Sequence, residues 1–381
     1  MDFELSEEQR LLQKMVQEFS CQEIEPRVKE LEERHEFPRE ILQKLAGLGL
    51  LGMTVPVEYG GTPTDALSVV LALEELSKAS PVVCIIVSVH CCLFCQALLS
   101  FGSEDLKRRY LPAAARGEIL GAFSLTEPNA GSDIQALRTK AERRGDHFLL
   151  NGQKSWVTSG SEAQALVLFT AAADPSGKKK LNAFIVDRDS PGFQVSKLEE
   201  KMGLHSSLTA EITLADCQVP ASNLLGREGQ GASIALNCLD HSRIGIAAQA
   251  VGLAQRALEE AVRYSKQREV FGGKVSDFQA IQFMISDMAT QVEAARLLTY
   301  RAAVLKDSGR SFTAEASMAK LFASEAANRI AYLALQVHGG YGYSREFPVE
   351  RLYRDARVLT LYEGTSEVQR MVIARRLLKD S

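Results

Sequence analysis

The chain has 381 residues, of which 46% are hydrophobic and 24% charged, and a net charge of −4. That length can bury a large core and accommodate two or three domains, and the charge balance leaves no basic surface for nucleic acid. The opening MDFELSEEQRLLQKM is acidic and amphipathic, so neither a signal peptide nor a transit peptide is expected.

The first ~120 residues read as helices. SEEQRLLQKMVQEFSCQEI opens on a capping-box pattern, with Ser6 followed by Glu8 and Gln9 near the third helical position. PREILQKLAGLGLLG repeats apolar residues at helical spacing and ends in glycine; EYGGTPTD is a loop; ALSVVLALEELSKAS is helical again. VVCIIVSVHCCLFCQALLSF, residues 82–101, is long enough to resemble a membrane span. It is solitary, holds His90 and Gln96, and lies between ordinary soluble helices, so it reads as a helix buried in a large core, without membrane insertion. Such a helix could line an apolar ligand tunnel. Three of the seven cysteines fall in its HCCLFC stretch with no second cluster. They read as small packing residues in a reducing compartment, and no metal site is expected.

Near Gly121 the character changes. GAFSLT, HFLLNGQKSWVTS, ALVLFTAAA, LNAFIVDRD, FQVSKLE and TAEITLADCQVP are short β-rich runs, with turn signals at Asn151-Gly152 and Ser190-Pro191-Gly192. Their spacing predicts a compact all-β domain ending near residue 225. From about Gly231 the pattern is helical: a long helix from SIALNCLDHSRIG to YSKQ, then helices over 277–306 and 313–337, closed as a four-helix bundle by the C-terminal segment. The expected domains are therefore 1–120, 121–225 and 226–381.

Several polar stretches could carry chemistry. SLTEPNAGSD packs Gly131, Ser132 and Asp133 together, which suits the close approach of a phosphate or planar ring and equally a surface turn. KSWVTSG holds the only tryptophan, either a core residue or a wall against an aromatic cofactor. Arg268 in REVFG could pair with a phosphate. QVHGGYGY follows a helix, so it fails as a dinucleotide fingerprint, and no Walker motif, HExxH or nucleophile elbow is present. LYEGTSEVQR puts Glu363 between Tyr362 and Gly364 in a short break before an amphipathic-looking helix. A solvated loop and a base with a desolvation-raised pKa both fit that stretch.

Taken together, TEPNAGSD, NGQKSWVTSG, REVFG with DFQAIQ, QVHGGYGYSREFPVERLYRDAR and YEGTSEVQR closely resemble the acyl-CoA dehydrogenase family. The resemblance spans almost the whole chain and is nearest in style to short-chain and short/branched-chain members, as in SRIGIAAQAVGLAQRALEEAV. It implies an N-terminal helical domain, a middle β-barrel and a C-terminal four-helix bundle, assembled as a homotetramer. It also implies FAD as cofactor, a short or branched acyl-CoA as substrate, and electrons leaving through an electron-transferring flavoprotein.

Carried across position by position, the resemblance implies that Phe123, Leu125, Thr126, Gly131 and Ser132 line the flavin and its pyrophosphate. Trp156 and Thr158 would flank the isoalloxazine. Arg268, Phe271, Gln279, Gln336 and Gly340 would reach the ADP half of an FAD in a neighbouring subunit, and Thr365 and Glu367 would complete the nucleotide site. Leu239, Asp240, Ser242 and Arg243 would border the CoA and its pantetheine arm, with Ser132, Tyr362 and Gly364 also against substrate. Glu363 would be the catalytic base. Some members carry the base at the position of Ser242; serine cannot serve, which leaves Glu363 without a rival. Two departures stand out. Asn129 replaces a frequent glycine and is expected to tolerate a left-handed backbone, and His205 replaces a usual arginine.

Three alternatives remain. An acyl-CoA oxidase would carry a long C-terminal extension, which is not seen here. A catalytically silent flavoprotein or scaffold would lack the base. A glutaryl-CoA dehydrogenase would need a cation where PVVCIIVSVH has none. The expected compartment is the bacterial cytoplasm, or the mitochondrial matrix for a processed chain.

Overall fold

The computed structural model describes residues 4–172 and 180–379. Helices come first: α1 (Glu7–Phe19), α2 (Glu25–Arg34), α3 (Arg39–Gly47), α4 (Ala66–Ala79), α5 (Pro81–Ser88), α6 (Gln96–Phe101) and α7 (Glu104–Ala115). The capping box forms as expected. Gln9 N–H donates to the Ser6 hydroxyl at 3.1 Å, and Ser6 N–H donates to the Gln9 side chain at 3.0 Å.

Residues 82–101 are not one regular helix. α5 and α6 are joined by a π-helical stretch over Val89–Cys95, a form in which one extra residue is accommodated per turn. Among the described residues this is the one helix long and apolar enough to cross a membrane, and it lies inside the core. Only its last turn reaches solvent, at Ser100. His90 is buried within it: its Nδ1 accepts from Gly121 N–H at 3.0 Å, so Nε2 is the donor to the Ala114 carbonyl at 3.2 Å. Burial pushes His90 down to about 4, which keeps this link neutral.

The middle of the chain forms β1 (Gly121–Ser124), β2 (Lys140–Arg144), β3 (His147–Thr158), β4 (Ala165–Ala172), β5 (Lys180–Asp187), β6 (Phe193–Leu198) and β7 (Thr209–Pro220). The expected β-barrel is a single curled sheet in the order β1-β4-β2-β3-β7-β6, with β5 also on β4. It wraps its own core of residues such as Phe148, Leu150, Leu168, Phe184 and Ile212. The run ALVLFTAAA is β4, its last residue lying outside the described ones. Ser190-Pro191-Gly192 turns as expected, but Asn151-Gly152 does not. It lies inside β3, where the pairing with β7 shifts register between Leu150 and Gly152. The Asn151 amide meanwhile bridges to Asp216 on β7 at 2.9 Å. A bulge absorbs the residue pair that would otherwise have reversed the chain. β2, KAERR, has no apolar alternation and was not anticipated.

The remainder is α8 (Gly231–Gln267), a short hairpin of β8 (Glu269–Val270) and β9 (Gly273–Lys274), α9 (Gln279–Asp307), α10 (Thr313–His338), α11 (Val349–Ala356) and α12 (Ser366–Leu377). α8, α9 and α10 pack side by side, α12 lies on α10, and α4 packs against both α8 and α9. The N- and C-terminal helices therefore share one continuous core, from Val16 to Leu359, distinct from the core of the sheet. α12 departs from the amphipathic expectation. It docks through Ser366 and Gln369 and leaves Met371, Leu377 and Leu378 in solvent.

Candidate active site

Glu363 sits between a 3-10 turn over Arg357–Thr360 and the start of α12, where the Thr365 hydroxyl caps the helix by accepting from Val368 N–H. Two consecutive residues here are left-handed, Glu363 at φ 55° and Gly364 at φ 91°. Glycine is suited to the second position, since a Cβ there would come within 2.7 Å of the Gln369 amide nitrogen. Glutamate at the first is unusual, and backbone strain of this kind gathers at functional sites.

The turn is held from beneath. The Gly364 carbonyl accepts from Lys320 Nζ at 2.8 Å and from Gln369 Nε2 at 2.8 Å, and Gln369 also donates to the Glu363 carbonyl at 3.1 Å. Lys320 is fully buried on α10. Next door, the Tyr362 hydroxyl donates to the Gln249 side-chain carbonyl, and Gln249 donates to the Pro81 carbonyl at 2.8 Å, tying the turn to α8 and to the start of α5.

Glu363 is half-buried as a residue, but its Oε2 is out of solvent and has no hydrogen-bond partner among the described residues. Burial raises its pKa above the ordinary carboxylate range; the Ser242 hydroxyl and the charges of Lys320 and Arg243 pull back against that rise without cancelling it. Ser242 and Glu363, the two positions that compete for the base by resemblance, thus face one another across the same small volume. Arg243 is itself buried and pairs with Asp240 at 2.6 Å, and Asp240 accepts from Thr313 at 2.6 Å. The wall opposite α8 is the apolar helix. At Gly245 a Cβ would lie 2.5 Å from Ser88 Oγ, so glycine lets α8 approach this closely without moving that side chain. That helix in turn holds β1 through the His90–Gly121 bond, so it stands between the strand of the TEPNAGSD motif and the Glu363 pocket.

The anticipated residues fall into three groups. The first lies at the end of β1 and on β3: Phe123, Leu125, Thr126 and Thr158 are half-buried, and Gly131 and Ser132 are exposed. Ser155 N–H donates to the Thr126 carbonyl at 2.9 Å and joins the two motifs. Trp156 is not a core residue, being 58% exposed. A second register shift, between Lys154 and Val157, together with φ 59° at Trp156, turns it outward while Val157 takes the inward place. The second group, Arg268, Phe271, Gln279, Gln336 and Gly340, is exposed around the β8–β9 hairpin and the end of α10, with the Arg268 guanidinium 5.3 Å from the Tyr341 ring centre. Phe271 is 99% exposed. Hydrogen bonds and ring contacts among the described residues do not tie this group to the first. The third group is Leu239, Asp240, Ser242, Arg243, Tyr362, Glu363, Gly364, Thr365 and Glu367, gathered where α8 meets the α12 turn.

An outward Trp156 with Thr158 on the same strand, joined through Ser155 to the loop that carries exposed Gly131 and Ser132, suits a planar, phosphate-bearing group such as FAD. Asn129 is not left-handed as expected; it keeps ordinary backbone angles and donates to the Ala136 carbonyl at 2.8 Å, so a side-chain bond closes the turn that glycine would have closed by conformation. His205 lies 2.9 Å from Glu32 on α2 and 2.8 Å from the Lys201 carbonyl, and stacks on His35.

Sequence reasoning overlooked Lys320, Gln249, Gln369 and the buried pair Glu127–Lys154. For Lys320 a signal existed. Ala316, Ala319, Ala323 and Ala327 mark the buried face of α10, and Lys320 falls on that face.

Comparison with known proteins places this arrangement. Family models for the N-terminal, middle and C-terminal domains of acyl-CoA dehydrogenases match residues 6–118, 122–217 and 229–378. The short-chain specific acyl-CoA dehydrogenase of Clostridium acetobutylicum is 42% identical over 379 residues, covering 100% of both chains. The NADH-dependent acryloyl-CoA reductase of Anaerotignum propionicum is 44% identical over 381 residues, covering 100% of this chain and 96% of the relative. Butyryl-CoA dehydrogenase from Megasphaera elsdenii superposes with a TM-score of 0.97 at 42% identity over 99% of this chain and 100% of that one. A chain from the structural work on the electron transferring flavoprotein of Acidaminococcus fermentans gives a TM-score of 0.97 at 45% identity, covering 100% of both. The chain belongs to the acyl-CoA dehydrogenase family, a family of FAD-dependent oxidoreductases.

Proposed function

We propose that the chain dehydrogenates a short or short/branched acyl-CoA thioester across its α,β bond, with Glu363 taking the α-proton. The observation that carries this reading is the buried Glu363 carboxyl, with Oε2 free of partners and a pKa raised by burial. An α-proton of a thioester is too weakly acidic to be lost to water, and a desolvated carboxylate is a stronger base than a solvated one. The Glu363 backbone N–H donates to no acceptor among the described residues. It is therefore available to the thioester carbonyl, where negative charge develops as the proton leaves. FAD, when bound, supplies the acceptor for the β-hydride. Phe123, Leu125, Thr126, Gly131, Ser132, Trp156 and Thr158 would hold its flavin side. Arg268, Phe271, Gln279, Gln336 and Gly340 would reach the ADP half of the FAD in a neighbouring subunit, and Thr365 and Glu367 would complete the nucleotide site.

A short, uncharged acyl chain is favoured by the apolar helix near Glu363. Its buried Ile85, Ile86 and Val89 are bulky, and it brings no cation for a substrate carboxylate. The same groups serve the reverse reduction, the reaction for which the Anaerotignum propionicum relative is named. An electron-transferring flavoprotein as partner is supported by the likeness to the Acidaminococcus fermentans chain. A homotetramer is supported by the bare aromatic surface at Phe271, Phe283 and Tyr343, and a reducing compartment by seven free cysteines.

The test is direct. Purified protein should be yellow and lose its visible flavin band on anaerobic addition of butyryl-CoA. Glu363→Gln should still bind FAD and substrate yet be reduced about 10²–10⁴-fold more slowly. Near-native reduction by Glu363→Gln would refute the assignment.

A further inference from the structure

The geometry points to Lys320 as a positioning residue for the reaction: its buried ammonium holds the Glu363-Gly364 turn and supplies a positive charge, unpaired among the described residues, that keeps the Glu363 carboxyl able to ionise. This rests on Glu363 being the base.

An ammonium costs a great deal to bury, and the face of α10 that carries Lys320 is otherwise mostly alanine. The cost must be offset by something Lys320 does. Its one hydrogen bond is to the Gly364 carbonyl at 2.8 Å, but Gln369 already donates to that oxygen at the same distance. A cation is not needed to satisfy the carbonyl. What Gln369 cannot provide is charge.

The other charged and titratable groups around Glu363 explain why that charge matters. From α8 come Arg243, Ser242 and Cys238; from the apolar helix comes Cys92; Tyr362 is its chain neighbour. Arg243 is held by Asp240 at 2.6 Å, so part of its charge is already matched by a carboxylate. Lys320 makes no ion pair among the described residues, and the acidic groups that favour its charge are Glu363 first, then Glu325 and Glu367. Burial brings Lys320 down to about 8, with Glu363 opposing that fall. The two groups thus sustain one another's charge without touching. An ion pair would quench the base, whereas this offset placement keeps Oε2 free for a proton.

The prediction concerns the pH profile of flavin reduction by butyryl-CoA in the FAD-loaded protein. Rate should rise with pH as Glu363 ionises. Lys320→Met removes the charge, so the acid limb should move up by about one pH unit, with about tenfold lower rates on the acid side and a plateau that recovers at alkaline pH. Lys320→Gln, which keeps a donor for Gly364 without charge, should move the limb equally and serves if the methionine variant folds poorly. Lys320→Arg should leave it near its native position. Gln369→Ala should lower the plateau without moving the limb, because it loosens the turn and changes no charge. The Glu363 side-chain carboxyl resonance, assigned by its absence in Glu363→Gln, should titrate higher in Lys320→Met, which reads the same effect without turnover. An unmoved limb in both neutral variants that retain FAD would overturn the assignment and leave Lys320 as core filling. Near-native reduction by Glu363→Gln would instead overturn the base itself, and the two failures are therefore separable.

Discussion

Two glutamates in this molecule hold a carboxyl oxygen out of solvent near a buried lysine, and they differ in almost everything else. Glu127, in the loop after β1, receives Lys154 Nζ at 2.9 Å and the N–H groups of Arg138 at 2.6 Å and Thr139 at 3.0 Å. Burial pushes its pKa up, but Lys154 and those donors win and hold it below the ordinary range. Glu363 has a lysine nearby that turns to a backbone carbonyl instead, and its carboxyl stays above the range. Residue type is the same and a buried lysine is close in both cases; the direction of the ammonium separates a structural anchor from a reactive group. A carboxylate with all its lone pairs satisfied has little affinity left for a substrate proton, and one denied partners retains it.

The comparison can be broken first at the anchor. Removing one partner of a buried ion pair leaves an uncompensated charge, so Lys154→Met should destabilise the protein by about 3–5 kcal/mol in denaturant unfolding. The double variant Glu127→Gln/Lys154→Met should recover part of that loss, since the pair acts as a unit. If Lys154→Met unfolds like the native chain, Glu127 is not an anchor and the contrast collapses.

At the reactive site the sign should reverse. Glu363→Gln removes a group that burial disfavours in its charged form, so the variant should be more stable at neutral pH by ~0.5–2 kcal/mol, the usual range for relief at a functional site. The pH dependence carries the same opposition. Glu127 has a depressed folded pKa, so its contribution is fully present above its unfolded value, roughly 4.3, and is lost as pH falls through the folded one. Glu363 has a raised folded pKa, so stability declines as pH rises from that unfolded value to the folded one. Thermal melts of Glu363→Gln should therefore gain on the native chain with rising pH across that window. A variant that melts lower than the native chain at neutral pH would count against a desolvated Glu363.

Much of this was legible in the chain. The Ser6 capping box, the long α8 and the two Ala-rich helices follow from caps and periodicity alone, and Glu363 could be singled out in LYEGTSEVQR. What escaped depends on partners distant in sequence. Asn151-Gly152 has the chemistry of a hairpin turn, but β7 takes both flanks into one strand and a bulge absorbs the pair. Trp156 would point inward by simple alternation, and a second bulge reverses it. α12 has apolar residues at helical spacing, yet only α10 is there to bury them. Glu127 and Lys154 stood in view inside two recognised motifs, but nothing local says that a loop carboxylate and a strand lysine 27 positions apart will meet.

The central claim is that a buried lysine turned toward one carboxyl and away from the other sets the two apart in opposite directions. A ¹³C NMR titration of glutamate-labelled protein tests it most directly, with the two side-chain resonances assigned by their loss in Glu127→Gln and Glu363→Gln. Glu127 should titrate below the ordinary glutamate range and Glu363 above it. If Glu363 titrates at or below the ordinary range, it is a solvated or paired carboxylate, and the base must be sought elsewhere.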